Sequence, residues 1–127
     1  MARLDIELAG KLVMHELSLA RDLLKTVEKN LASADARVLR IDLRIGTAAG
    51  IVLSSLRFAF AVVAAGTRVE GAELSIVTAP ARSRCANCGI LYEFDGVIGR
   101  CHVCGTLGGE LLSGNEMILR SIEVAEV

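Results

Sequence analysis

Four thiols fall in one short window, as Cys85-Ala-Asn-Cys88-Gly89 and Cys101-His-Val-Cys104-Gly105, with twelve residues between the pairs. Nothing else in the chain restricts its fold as strongly. Two Cys-x-x-Cys pairs at this separation can wrap one Zn²⁺ in a tetrahedral shell of four sulfurs, each roughly 2.3 Å from the metal. Each pair then forms a tight knuckle, and Gly89 and Gly105 supply backbone freedom where a Cβ would crowd the turn. A closed-shell ion held by four thiolates keeps no open position, so such a site performs no Lewis-acid chemistry. It stands in for a hydrophobic core in a segment too short to build one. Two other readings compete: a thioredoxin-like dithiol and a rubredoxin-like iron site. A redox pair normally occurs once, at a helix start after a strand. Here the motif occurs twice, each copy followed by glycine, which favours structural zinc. His102 lies inside the second knuckle, beside a shell that is already complete.

The rest of the chain can build an ordinary core. Of its 127 residues 53% are hydrophobic but only 3% aromatic, so Ala, Val, Leu and Ile must fill that core within one domain carrying a small insert. The formal net charge is −1, with Lys and Arg scattered, which argues against the basic face of a nucleic-acid-binding zinc module. No apolar run approaches the ~20 residues needed to cross a bilayer. The start, Met1-Ala-Arg-Leu-Asp-Ile-Glu, lacks a basic segment followed by an apolar one, so export is not expected and a cytoplasmic protein is.

Periodicity gives the order of elements. Residues 1–13 alternate as far as Leu8, in the manner of a short strand, but Gly10 interrupts the pattern. Met1 and Met14 both suit initiation, and the status of this extension stays open. Leu17, Ala20, Leu24, Val27 and Leu31 predict an amphipathic helix over 17–32. Leu39, Ile41, Leu43 and Ile45 alternate with charged residues as a half-buried strand ending at Gly46. After a loop at 46–53, Ser54 or Ser55 is expected to cap a second, almost wholly apolar helix over 56–65, with Gly66 just past its end. Strands are predicted over 72–79 and 117–124, and Tyr92 to Phe94 reads as a hairpin strand within the cysteine window. The fold class is therefore α+β: a small mixed sheet with two helices, interrupted by a zinc-ribbon-like four-cysteine module, the last strand returning to the sheet.

Met14-His15-Glu16, at the threshold of the first helix, is the other donor cluster. A Glu near a helix N-terminus complements the dipole, and two adjacent donors match no distinctive metal spacing, so the pattern alone favours an ordinary helix entry. If Met14 were the first residue, its free amine, the imidazole and the intervening amides could ring a d⁸ ion in a plane. That geometry suits Ni(II) or Cu(II).

With these residues in view, the chain resembles the HypA/HybF family of hydrogenase nickel-incorporation proteins. The likeness runs from Met14 to near the C-terminus. It rests on Met14-His-Glu-Leu-Ser18, Arg40-Ile-Asp-Leu-Arg-Ile-Gly46, Ser55-Leu-Arg-Phe-Ala-Phe60, Gly71-Ala-Glu-Leu74, both knuckles, and Leu112-Ser-Gly-Asn-Glu-Met117. The resemblance implies a nickel-binding domain at 14–80 and 111–127, a zinc-binding domain at 81–110, and delivery of Ni(II) to the large subunit of [NiFe]-hydrogenase with a maturation GTPase. Some members also serve urease, through its accessory proteins. By position it makes His15 the main nickel ligand, helped by the Met14 amine and the backbone around Glu16, and assigns zinc to Cys85, Cys88, Cys101 and Cys104. No enzymatic motif is present, so any GTP hydrolysis would belong to a partner. A homodimer has room to form through the apolar second helix or the extra N-terminal strand. Two departures stand out: thirteen residues precede Met14, and the loop Thr47-Ala-Ala-Gly-Ile-Val-Leu53 lacks the acidic residues common in relatives. The rival class is a zinc-ribbon adaptor with no role in nickel delivery.

Overall fold

The alternating and helical patterns resolve into two sheets and two helices in a computed structural model that describes residues 2–11 and 16–126. In chain order these are β1 (Ala2–Lys11), α1 (Glu16–Lys29), β2 (Ala36–Gly46), α2 (Leu53–Ala64) and β3 (Glu73–Ala79), then β4 (Ala81–Cys85), β5 (Leu91–Phe94), β6 (Gly109–Ser113) and β7 (Glu116–Glu126). The larger sheet has the order β1-β7-β2-β3, with β2 and β3 parallel and the other pairs antiparallel. The smaller is the antiparallel β5-β4-β6. The last strand thus returns to the centre of the larger sheet.

Each cross-strand row of the larger sheet is sorted by chemistry. Leu4, Ile122, Ile41 and Leu74 line up across all four strands and face the helices. The next row, Arg3, Glu123, Arg40 and Glu73, lies on the opposite face and alternates in charge from strand to strand. Opposite charges placed directly across a sheet favour this register over a one-residue slip. Arg40 lies 3.1 Å from Asp42 and 3.4 Å from Glu123, and the buried Ser121 hydroxyl donates to Asp42 Oδ2 at 2.5 Å. The Arg40 Nε contact is an ion pair by distance rather than an aligned hydrogen bond.

Several details depart from the pattern reading. Residues 2–11 do form a strand, with an irregularity between Asp5 and Leu8 rather than a break at Gly10. Register shifts in the β2–β7 pairing put a bulge at Leu39, so Val38 takes the buried position and Leu39 is left 40% exposed. The buried stripe of α1 is Leu19, Ala20, Leu23 and Val27, with Leu17 outside it. Neither Ser54 nor Ser55 caps α2. Gly50 turns left-handed after the short 3₁₀ turn Thr47–Ala49, and the helix begins one turn early, with the Leu56 N–H donating to the Val52 carbonyl and no side-chain cap. Helix α2 buries Leu56, Ala59, Phe60 and Ala64, yet leaves Phe58 74% exposed despite its almost wholly apolar sequence. Gly66, at φ 78°, does stand just past its end.

The two sheets meet at two glycines. Gly46 closes β2 against the backbone of Gly114, whose carbonyl accepts from the Ala48 N–H at 2.8 Å, while Gly114 itself packs on Ala81 at the start of β4. A Cβ on either glycine would fall inside backbone atoms, and Gly114 also sits at φ 106°. Gly46→Ala and Gly114→Ala should each lower stability by at least ~2 kcal/mol, read from urea midpoints, whereas Gly66→Ala should cost only about 1 kcal/mol. The control sits in open space, so its loss is backbone strain alone. Equal losses at all three positions would contradict the close packing.

Candidate metal centres

Strand β4 delivers Cys85 into the first knuckle, and the irregular segment between β5 and β6 supplies the second. The two knuckles use one hydrogen-bonding scheme. The Gly89 N–H donates to the Cys85 carbonyl at 3.0 Å, and the Gly105 N–H to the Cys101 carbonyl at 2.9 Å. One residue further on, the carbonyls of Ile90 and Thr106 accept from the Cys85 and Cys101 N–H groups. Gly89 and Gly105 have φ of 77° and 76°, a left-handed conformation that the turn requires and glycine adopts without cost. Tyr92 and Phe94, ring centroids 5.7 Å apart, supply what apolar body the module has. The Tyr92 hydroxyl donates to the Gly108 carbonyl, and Phe94 lies against Gly99, where a side chain would strike the ring.

The four sulfurs meet the requirements of a tetrahedral ion. Cys85 and Cys104 Sγ are 3.5 Å apart, Cys88 and Cys101 Sγ 3.6 Å, and all four lie within 4.8 Å of one another. A tetrahedron with Zn–S of about 2.3 Å has edges of about 3.8 Å, whereas a disulfide brings its sulfurs to about 2.05 Å. None of the four is disulfide-bonded. Cys85 and Cys101 are buried while Cys88 and Cys104 face outward, so water reaches one side of the cage only. N–H groups also point at sulfur, Cys88 to Cys85 at 3.5 Å and Val103 to Cys101 at 3.4 Å, which stabilises thiolate charge. His102 is exposed in its knuckle.

One difference between the knuckles changes their thiol chemistry. Position 90 is Ile in the first, whereas the equivalent position 106 is Thr in the second. The Thr106 hydroxyl lies 3.1 Å from Cys104 Sγ, and together with the Thr106 N–H and Asn87 it holds that thiol down at about 5. At Cys88 the Ile90 N–H pulls the other way, but desolvation and the three neighbouring sulfurs outweigh it and push the thiol up to about 11. Cys85 is lowered, chiefly by the Cys88 N–H. The role of Thr106 is legible in the sequence only when the two knuckles are set side by side.

Met14 and His15 lie outside the described residues. Glu16 is the first residue of α1, in its first turn, where a carboxylate complements the helix dipole. Among the described residues, the four cysteines form the one group of donor side chains close enough together to hold a metal ion.

Metal-free protein at pH 7 should therefore carry a thiolate at Cys104 and a thiol at Cys88. Limited iodoacetamide treatment followed by peptide mass spectrometry should find Cys104 modified before Cys88; the reverse order would contradict the assignment. Zinc must displace the remaining thiol protons, so its affinity should fall as pH falls, and calorimetry in buffers of different ionisation enthalpy should detect proton release at pH 7.

Residues 14–124 match the family described as hydrogenase/urease nickel incorporation, metallochaperone. The hydrogenase maturation factor HypA of Desulfitobacterium hafniense is 39% identical over 114 residues, covering 89% of this chain and 100% of that protein. HypA of Chlorobium luteolum is 37% identical over 114 residues, covering 89% and 97%. The solution structure of the Ni metallochaperone HypA from Helicobacter pylori is similar with a TM-score of 0.61 at 25% identity, covering 90% of this chain and 100% of that one. Strand β1 lies outside the matched span. A match over nearly the whole chain, the shared fold and a cage of four cysteines at zinc spacing lead to one conclusion: this chain belongs to the HypA family of nickel-incorporation metallochaperones.

Proposed function

We propose that this chain captures Ni(II) at the entry to α1 and hands it to the large subunit of [NiFe]-hydrogenase during maturation. The observation that carries the reading is the family match, which begins at Met14, the first residue of the donor triplet Met14-His15-Glu16. In this reading His15 is the principal ligand, with the Met14 nitrogen and the backbone around Glu16 completing a nitrogen-rich, square-planar set that suits Ni(II). Residues 14–80 and 111–127 form the nickel-binding domain and 81–110 the zinc domain. The four thiolates are saturated by zinc and exchange slowly; the helix entry offers few ligands and exchanges fast. Transfer is ligand substitution within a complex that includes a maturation GTPase, which supplies any nucleotide hydrolysis. The carrier itself is not an enzyme and works in the cytoplasm. Urease accessory proteins are a second set of clients, and pairing of two copies is compatible with the same site.

In the chain as it stands, Met14 nitrogen is a peptide amide, because residues 1–13 precede it. An amide must lose its proton to bind nickel, whereas a terminal amine binds once its ammonium titrates near pH 8. The 127-residue protein should therefore bind Ni(II) at least about tenfold more weakly at pH 7.5 than a chain beginning at Met14, a loss of ~1.4 kcal/mol. His15→Ala should abolish binding in both. Isothermal titration with zinc-loaded protein checks this. Nickel binding that survives His15→Ala would refute the site, and no binding by either chain would leave a zinc-ribbon adaptor as the better reading.

A further inference from the structure

We infer that the free edge of β3 is a docking site for an extended, acidic peptide segment of a partner protein, taken up as a fifth strand of the larger sheet. Strand β3 is the last strand on its side and pairs only with β2. A strand turns every second residue's N–H and C=O outward. Arg57 Nη1 donates to the Leu74 carbonyl, so that carbonyl faces away from β2, and Ile76 and Thr78 face the same way. Among the described residues no loop or turn backbone bonds to Ile76 or Thr78. Edge strands are usually blunted by an inward charge, a proline or a covering loop. Here Arg57 covers only Leu74, Pro80 comes after the strand ends, and Val77 stands 63% exposed between the two free positions.

The surroundings say what kind of strand fits. Helix α2 runs alongside the edge and leaves two grooves beneath it, one at each end of β3. The groove at Leu74 has a volume of about 410 Å³, with Phe60, Ala61, Ala64 and Val69 among its walls. The groove at Thr78, of about 230 Å³, is walled by Ile45, Ile51 and Leu53. Leu74 and Thr78 are four residues apart, about 13 Å along a strand. Helix-facing side chains four positions apart on an added strand would therefore enter the two grooves. Two cations flank the free stretch: Arg57 on the helix side, and Arg44, the cross-strand neighbour of Val77, on the other face. Glu70 and Glu73 share the Leu74 groove with Arg57, but Glu70 accepts from the Gly66 N–H, Glu73 is the cross-strand neighbour of Arg40, Asp42 pairs with Arg40, and Glu116 accepts from the Gly114 N–H. The segment is thus apolar at alternate positions and carries Asp or Glu near its middle. Backbone bonding gives it affinity, and the grooves and arginines give it selectivity.

Selection from a displayed decapeptide library on the full zinc-loaded chain, followed by synthesis of the selected peptides, tests this. Selected peptides should show the alternating pattern with central acids, bind at micromolar Kd, and slow hydrogen exchange of the Ile76 and Thr78 amides about tenfold or more. N-methylation of alternate peptide amides should remove binding in one register, a control that leaves the protein untouched. Thr78→Pro, which removes an outward N–H, should do likewise, and Arg57→Glu should reverse the preference from acidic to basic peptides. No selectable peptide, unchanged exchange at Ile76 and Thr78, or equal binding by every N-methylated register would overturn the proposal. None of these readouts depends on nickel.

Discussion

Coordination of four sulfurs is the interaction on which the chain's return depends. After Ala79 the chain leaves the larger sheet and comes back only at Glu116, to enter the centre of that sheet as β7. Closing an excursion of ~35 residues costs an unfolded chain ~3 kcal/mol of loop entropy, and the apolar content of the module is little more than Tyr92, Phe94 and Ile90. Metal binding offsets that cost. Strand β4 pairs with β6, which sets Ala81 beside Gly114 and Gly114 beside Gly46. The backbone contact at the glycines then starts β7 in register with β2. Zinc held by the four cysteines would therefore act on the larger sheet without touching it.

What could be read in advance follows from how local each signal is. The cysteine spacing fixes the cage because the geometry of a knuckle is decided within six residues, and the same hydrogen bonds recur in both copies. Ile41, Leu43 and Ile45 declare a strand because their alternation is unbroken. Leu39 misleads because a bulge is set by the partner strand: the same alternation reads through it, and only pairing with β7 reveals that Val38 turns inward. The start of α2 misleads for a similar reason. Two serines look like caps, but the left-handed turn at Gly50 has already aimed the chain into the helix. The strand at residues 2–11 has a weak pattern of its own and gains its place from eight paired positions along β7 and the charge row through Arg3 and Glu123.

Strand β1 precedes the span that the family match covers. The Desulfitobacterium hafniense protein is covered from end to end by 114 residues of this chain, and the family match begins at Met14. Here β1 ends at Lys11, paired with Glu116 beside the glycine junction, and α1 starts at Glu16. The triplet Met14-His15-Glu16 thus follows β1 in the sequence, with Glu16 opening α1. With residues 1–13 in place, the Met14 nitrogen is an amide, which narrows the proposed nickel ligands to side chains and amides.

In the proposed function these features join in a division of labour: sulfur for the metal that stays, nitrogen for the metal that leaves. X-ray absorption at both edges, on the 127-residue protein loaded with one zinc and one nickel, tests it most directly. Four sulfur scatterers at about 2.3 Å are expected around zinc, and only nitrogen or oxygen scatterers around nickel. Sulfur in the nickel shell, or a zinc shell that loses sulfur when nickel is added, would contradict that division.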